Sequence, residues 1–136
     1  MFDLERVIVL KFVVPESSSK NSGHYTPGVI SNGMLYISGQ LPINPETGKI
    51  VEGDISAHTR MTLYNVERVL AAAGLTKEHV VQSRVYIPDV SYWGIVNEVY
   101  ADFFGSHKPA RAIIPCRDLH YGALVEIEAI AEMEVK

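Results

Sequence analysis

The chain has 136 residues, of which 47% are hydrophobic and 21% charged, and its formal net charge is −4 at pH 7. These values predict a single globular domain over residues 1–136, because disordered chains are poorer in apolar residues and richer in charge. The acidic net charge and the absence of a run of Lys or Arg disfavour nucleic acid as a partner. The sequence shows no apolar stretch long enough to span a membrane and no secretory signal, so we expect a cytoplasmic protein that does not bind membranes.

The first predicted elements are β-strands. Residues 6–14 are rich in β-branched side chains and end before a proline, which is typical of a strand. Asn32-Gly33 separates the apolar residues 29–30 from residues 34–38. This dipeptide predicts a β-hairpin, because a type I′ turn needs positive φ at both central positions.

Helices and strands alternate in the middle of the chain. Asp54 is a good N-cap for a helix over residues 55–73, whose apolar residues recur at helical spacing and which Gly74 closes. Residues 80–87 predict a strand, and residues 92–104 predict a second amphipathic helix.

The last two predicted strands cover residues 112–115 and 124–135. Alternate residues of the final strand form an unbroken apolar face, made of Val125, Ile127, Ala129, Ala131, Met133 and Val135. This face suits packing beneath the helices. The opposite face mixes four glutamates with Leu124 and Ile130, which fits a cleft wall or a subunit interface. The order of elements predicts an α+β fold with two helices on one face of a mixed sheet.

Metal and nucleophile chemistry have little support in the residues. The five histidines include no pair at the i, i+4 spacing and no partner cysteines, so no metal site is predicted. The sequence also lacks a glycine-rich phosphate loop. Cys116 is the single cysteine. It is either a buried or incidental thiol or a nucleophile with a lowered pKa, and the first interpretation is favoured.

Arg111 and Glu126 are the charged residues of most interest. Pro109-Ala110-Arg111 stands at the mouth of a strand, where an arginine can project its planar fork into a cleft and bind a carboxylate with two hydrogen bonds. Judged alone, Arg111 is more often a surface or salt-bridge residue. Glu126 is either a general base or one of a row of solvated acids.

Several segments, in order along the chain, resemble the YjgF/Rid family, the enamine/imine deaminases formerly grouped as L-PSP endoribonucleases. They span roughly residues 23–131. The matching stretches are Tyr36-Ile37-Ser38-Gly39-Gln40-Leu41-Pro42, Asn44-Pro45-Glu46-Thr47-Gly48, Val96-Asn97-Glu98-Val99-Tyr100-Ala101, Phe103-Phe104, Pro109-Ala110-Arg111 and Gly122-Ala123-Leu124-Val125-Glu126-Ile127-Glu128-Ala129-Ile130-Ala131.

The resemblance implies a chorismate-mutase-like fold, assembled as a homotrimer with clefts between subunits and with no metal or organic cofactor. It implies that Arg111 grips the substrate carboxylate and that Glu126 positions or activates a water. The other residues that it places in the cleft are Tyr25, Ser38, Gly39 and Asn97. The implied reaction is hydrolytic deamination of 2-imino or 2-enamino acids, such as 2-iminobutyrate, to 2-keto acids and ammonia.

Two departures from the family pattern bear on the substrate. The usual Gly-Pro-Tyr is here Gly23-His24-Tyr25, followed by Thr26-Pro27. Where many relatives carry Ser-Cys or Ser-Thr after the arginine, this chain has Ala112-Ile113, and Ile113 makes that wall of the cleft more apolar. The altered tyrosine loop keeps open the alternative of a non-catalytic trimer that binds small carboxylates and regulates a partner. An endoribonuclease is a third alternative, which the acidic balance disfavours.

Overall fold

The computed structural model describes residues 8–16 and 23–134. Its helices and strands are β1 Lys11–Val13, β2 Gly28–Ser31, β3 Met34–Gln40, β4 Ile43–Asn44, β5 Lys49–Ile50, α1 Ile55–Ala72, β6 Val80–Ile87, α2 Trp93–Phe104, β7 Ala110–Pro115 and β8 Glu126–Glu132. Short 3-10 turns lie at Lys77–His79, Val90–Tyr92 and His120–Gly122. The predicted order of elements is confirmed, except that the small β4–β5 hairpin was not anticipated.

The local signals at element ends act as predicted. Asn32 and Gly33 have φ of 51° and 77°, as a type I′ hairpin turn requires. The Asp54 side chain accepts a hydrogen bond from the Ala57 N–H at 3.0 Å, which caps α1. Gly74 follows α1 with φ of 77°, a conformation that glycine adopts without strain.

Several strand boundaries were predicted wrongly. β1 is shorter than residues 6–14, of which residues 6–7 lie outside the described part of the chain, and β7 begins two residues earlier than predicted. β8 was expected over residues 124–135, but it begins at Glu126 and ends at Glu132; Val135 lies outside the described residues. The late start has a physical cause, because the Leu124 N–H donates to His58 Nδ1 of α1 at 3.2 Å instead of to a strand.

The large sheet has six strands in the order β1-β2-β3-β8-β6-β7. β6 and β7 run parallel and every other neighbouring pair is antiparallel, so the sheet is mixed. The two helices contact each other, and α1 packs on β3 and β8. The predicted α+β layout is therefore confirmed.

The core lies between the helices and one face of the sheet. The predicted apolar face of the last strand is buried at Ile127, Ala129 and Ala131. Fully buried Leu35 and Leu70 meet this layer from β3 and α1. Each such leucine contributes about 1.5–3 kcal/mol through removal from water. The candidate site residues Arg111 and Glu126 lie on β7 and β8 of this sheet.

Candidate active site

Arg111 is the second residue of β7, an edge strand of the large sheet. Its Cα pairs with that of Ser83 in β6. Ser83 is buried, and its hydroxyl shares a 2.6 Å hydrogen bond with the Tyr100 hydroxyl of α2. Paired residues of neighbouring strands point to the same face of a sheet. Arg111 therefore lies on the face that the helices cover.

One side of α2 holds the Arg111 guanidinium. Its Nη1 donates to Asn97 Oδ1 at 2.9 Å, and its Cζ lies 4.8 Å from the ring centroid of Tyr100 and 5.6 Å from that of Trp93. Trp93, Asn97 and Tyr100 share one helix face, because they follow each other at intervals of four and three residues. Cation–π contacts and a hydrogen bond thus orient the fork. The Asn97 bond uses one of its five N–H donors, and a carboxylate can accept from others.

Ile113 belongs to the same group of side chains. It follows Arg111 by two residues in β7, and its Cα pairs with that of fully buried Val85. Its side chain therefore lies on the helix-covered face, where it packs partly buried against the core. We call Trp93, Asn97, Tyr100, Arg111 and Ile113 the arginine half-site.

Glu126 faces the opposite side of the sheet. Its Cα pairs with that of Tyr86, which comes three residues after Ser83 in β6. An odd interval along a strand reverses the face. The next residue, Ile127, is buried on the helix-covered face, as this alternation requires. Within one chain, the sheet therefore separates Glu126 from Arg111.

The Glu126 carboxylate lies over Gly39, at a bulge where β3 carries one more residue than β8. A Cβ at Gly39 would overlap Oε2 of Glu126 and would lie 3.0 Å from its Cδ. Only glycine leaves room for the carboxyl group there. Ser38 Oγ donates to the Thr26 carbonyl at 2.6 Å, which ties the loop that carries Tyr25 to the bulge. We call Tyr25, Ser38, Gly39 and Glu126 the glutamate half-site.

Glu126 and Glu128 are neighbours on this face but differ in their surroundings. Burial raises the pKa of Glu126 above its ordinary value of 4.5, the charge of Glu128 adds to the rise, and His120 acts in the opposite direction. Glu128 accepts a hydrogen bond from the Tyr86 hydroxyl, and Arg84 Nη1 lies 3.6 Å from its Oε1. Glu128 thus has a cation and a hydroxyl group beside it. Glu126 binds a proton more readily than an ordinary glutamate does, which suits it to carry protons in a reaction.

Tyr25 borders the same carboxylate. Its side chain is 54% exposed. Partial burial raises its pKa above 10, and the negative charges of Glu126 and Tyr121 raise it further. The phenol therefore stays neutral in the physiological range and can donate a hydrogen bond.

His120 and Tyr121 were not expected in this region. Their rings stack with centroids 3.6 Å apart, and Tyr121 has φ of 60°. A left-handed conformation costs a non-glycine residue about 1–3 kcal/mol and often marks a functional site. Both residues act electrostatically on the glutamate half-site, His120 on Glu126 and Tyr121 on Tyr25. Their position directly before the strand that carries Glu126 was the one indication in the sequence.

Cys116 also lies near Glu126. Burial raises the pKa of its thiol above 9, and the charges of Glu126 and Asp118 raise it further. Its Sγ donates to the Arg117 carbonyl at 3.1 Å. Such surroundings disfavour the thiolate, so the geometry supports the incidental thiol over the nucleophile.

Two further findings concern the described part of the chain. Within residues 8–16 and 23–134, no three His, Cys, Asp or Glu side chains come together in a way that could hold a metal ion. No helix of this part combines the length and the apolar content needed to cross a membrane.

Comparison with known proteins supplies the family context. Residues 16–133 match the family model described as Endoribonuclease L-PSP. A RutC family protein of Pyrococcus horikoshii is 41% identical over 122 residues, which cover 90% of this chain and 97% of that protein. Among solved structures, the Rid family protein YyfA of Yersinia pestis is 40% identical with a TM-score of 0.88, covering 92% of this chain and 100% of that one. E. coli TdcF with bound serine is 33% identical with a TM-score of 0.85, covering 91% and 99%.

Proposed function

The chain belongs to the endoribonuclease L-PSP family, which includes the YjgF and Rid proteins, and on this premise we propose that it is a hydrolase that deaminates 2-imino and 2-enamino acids, such as 2-iminobutyrate. One observation carries the proposal. An arginine fork oriented on α2 and a half-buried carboxyl group of raised pKa occupy two separate half-sites. The first suits a substrate carboxylate, and the second suits proton transfer at the adjacent carbon.

The half-sites act on one substrate only if different subunits supply them, because the sheet lies between them in one chain. We propose a homotrimer in which the arginine half-site of one subunit faces the glutamate half-site of the next. The sheet face that carries Glu126 also exposes Tyr36 and Phe12, which lie in one row across neighbouring strands with Ile130. An exposed apolar row of this kind supports an interface between copies.

The chemistry requires one water and no cofactor. Arg111 binds the substrate carboxylate, which fixes the imine carbon C2 beside the water. The water oxygen attacks C2, the nitrogen takes the electron pair of the C=N bond together with a proton, and a carbinolamine forms. The C–N bond then breaks and ammonia leaves, while the hydroxyl group loses its proton as the keto acid forms. A 2-enamino acid first takes a proton at C3 and loses one from its nitrogen, which converts it into the imine.

Glu126 carries the proton in these steps. It accepts one from the attacking water and returns one to the leaving nitrogen, and a pKa above the ordinary glutamate value favours both transfers near neutral pH. The neutral Tyr25 phenol and the backbone at Ser38 and Gly39 complete the pocket and can donate to developing negative charge.

Substitution of Arg111 tests the carboxylate anchor. Arg111→Lys keeps the charge but loses the planar fork, so both Arg111→Lys and Arg111→Ala are expected to lose most of the turnover of 2-iminobutyrate generated in situ. Arg60→Lys, at an exposed arginine of α1, is the matched control and is expected to keep the wild-type rate. Wild-type rates in the Arg111 variants would overturn the proposal.

Mixing two inactive variants tests the shared site. Arg111→Ala subunits retain Glu126, and Glu126→Gln subunits retain Arg111. After co-refolding of equal amounts, about a quarter of the interfaces carry both native residues, so about a quarter of the wild-type activity is expected. A mixture as inactive as its components contradicts a site shared between subunits.

A ligand-binding regulator is the second candidate, and the exposure of Tyr25 beside its altered loop favours it. Calorimetric binding of keto or amino acids without faster imine decay would support the regulator over the enzyme. A ribonuclease, the activity in the family description, is disfavoured because Glu126 and Glu128 would repel phosphates at this site. RNA cleavage that co-purifies with the protein and disappears in an Arg111 variant would reinstate it.

A further inference from the structure

The contacts that α2 makes with the Arg111 guanidinium are two aromatic rings and the amide oxygen of Asn97. Tyr100 uses its hydroxyl in the bond to Ser83 and presents its ring to the guanidinium. Trp93 presents its indole ring 5.6 Å from the same guanidinium carbon. An anion anchor therefore stands among ring faces and aliphatic side chains.

α2 and β7 run in opposite directions. Their relative direction determines whether Trp93, at the beginning of α2, lies over the beginning or the end of β7. Just after the end of α2, His107 bonds through Nε2 to the carbonyl of Val80, the first residue of β6, at 2.8 Å. Tyr100 lies over Ser83, three residues further along β6. The beginning of α2 therefore lies toward the later residues of β6 and of its parallel neighbour β7. Trp93 and Ile113 thus lie toward the same end of β7 from Arg111.

The Trp93 indole is partly free. Its side chain is 44% exposed although it contacts Arg111, so one part of the ring is available for a ligand. In a 2-imino acid, the side chain begins on the carbon next to the one that bears the carboxylate. A substrate whose carboxylate binds Arg111 can therefore direct its side chain toward Trp93 and Ile113.

From this arrangement we propose that the preferred substrates are 2-imino acids with a bulky apolar side chain, aromatic or branched, which packs against Trp93 and Ile113. The inference rests on the proposed function and adds the class of substrate. Small substrates such as the imine of alanine leave the indole uncovered and lose this contact. Apolar pockets separate substrates that differ by a few methylene groups by about 10- to 200-fold.

Competition between imines tests the preference. An L-amino-acid oxidase with catalase generates the imines of phenylalanine, leucine and alanine, and their decay is followed with and without the purified protein. The wild-type kcat/KM is expected to be at least about tenfold higher for the phenylalanine and leucine imines than for the alanine imine. Trp93→Ala is expected to remove most of this ratio, because the phenylalanine and leucine imines lose their packing contact in addition to any loss that all three imines share through the Arg111 fork.

Two variants separate recognition from general damage to the fold. Trp93→Phe retains a ring and is expected to keep most of the preference. Tyr64→Ala removes a similarly exposed aromatic side chain from α1, a helix that supplies no residue of either half-site, and is expected to leave the ratio unchanged. Circular dichroism and thermal unfolding establish that each variant is folded. Equal losses on all three imines in Trp93→Ala, or a wild-type preference for the alanine imine, would overturn the inference.

A binding measurement distinguishes this failure from failure of the proposed function. Trp93 is the single tryptophan of the chain, so its fluorescence reports ligands beside Arg111. Phenylpyruvate is expected to bind at least about tenfold more tightly than pyruvate, and calorimetry repeats the comparison in Trp93→Ala. Tighter phenylpyruvate binding without any turnover keeps the preference for a bulky apolar side chain and overturns the deaminase activity. Equal affinities for the two keto acids overturn the substrate class whether or not imines are hydrolysed.

Discussion

Gly39→Ala is the sharpest test of the glutamate half-site, because it places one methyl group against one catalytic side chain. The new Cβ would overlap Oε2 of Glu126 and lie 3.0 Å from Cδ and 3.3 Å from Cγ of the same residue. The three nearest atoms thus all belong to Glu126. The backbone conformation imposes no additional strain, because Gly39 is not among the glycines with positive φ.

The distances determine how far the carboxyl group must move. Carbon atoms pack without strain at about 3.5–4.0 Å, so the carboxyl carbon must retreat from 3.0 Å by about 0.5–1 Å. A distorted rotamer costs about 0.5–1.5 kcal/mol, which lowers Tm by less than about 5 °C in a chain of this size. A catalytic group displaced by about 1 Å loses up to about 100-fold in rate. We therefore expect a 10- to 100-fold lower kcat/KM in a protein that is nearly as stable as the wild type.

The assay compares imine hydrolysis and thermal unfolding in Gly39→Ala, Glu126→Ala and the double variant. Since both single changes act on one carboxyl group, the double variant is expected to be no less active than Glu126→Ala, a strong departure from additivity. Gly94→Ala is the matched control, because its Cβ meets no atom within 4 Å and it lies within α2. Wild-type activity in Gly39→Ala, or additive losses in the double variant, would refute the reasoning.

Three further predictions concern stability. Glu126→Gln should abolish turnover yet unfold at a higher denaturant concentration than the wild type at pH 7.5. Burial raises the folded-state pKa of Glu126, so the stability of the wild type falls as pH rises through that pKa. An equal pH dependence of stability in both proteins would contradict this. Burial lowers the pKa of His58, and the Val51 backbone and Asp54 oppose this with smaller effects, so the wild type loses stability as pH falls below 6.5 toward the folded-state pKa. Urea titrations of His58→Gln should lack this loss, and a profile like that of the wild type would refute the prediction. Asp54→Ala should cost about 0.5–2 kcal/mol in urea unfolding through loss of the α1 cap, and an unchanged midpoint would show that the cap is dispensable.

The His58 prediction also bears on the glutamate half-site. The ring accepts the Leu124 N–H at Nδ1, two residues before Glu126, and is buried on α1. Gln at this position can still accept that hydrogen bond without titrating, so activity at pH 7.5 is expected to survive in His58→Gln. Loss of activity at pH 7.5 would show that the ring itself is needed to hold the start of β8.

The structural features that were predicted best from the sequence are those that depend on residues close together in the chain. The Asn32-Gly33 turn, the ends of α1 and the whole of β6 follow from positive φ, capping and alternation within a few residues. The small β4–β5 hairpin was missed because strands of two residues are too short to show any periodicity. β8 was predicted too early because the partner of the Leu124 N–H is a histidine 66 residues away.

The candidate site shows the same division between local and tertiary information. The sequence by itself identified Arg111 and Glu126 as residues of interest and placed each on a strand. Glu126 and Glu128 are two residues apart and look equivalent in the sequence. Only the tertiary structure gave Glu128 its partners on β6 and left Glu126 partly buried over Gly39.

The faces of the sheet were likewise beyond the reach of the sequence. Alternation along one strand shows which of its residues share a face. Only the register between two strands shows whether a residue of one strand and a residue of the other lie on the same face of the sheet. The pairing of Ser83 with Arg111 and of Tyr86 with Glu126 places the two charged residues on opposite sides. That register is set by hydrogen bonds between segments far apart in the chain. The residue types were therefore determined by the sequence, and their division into two half-sites by the tertiary structure alone.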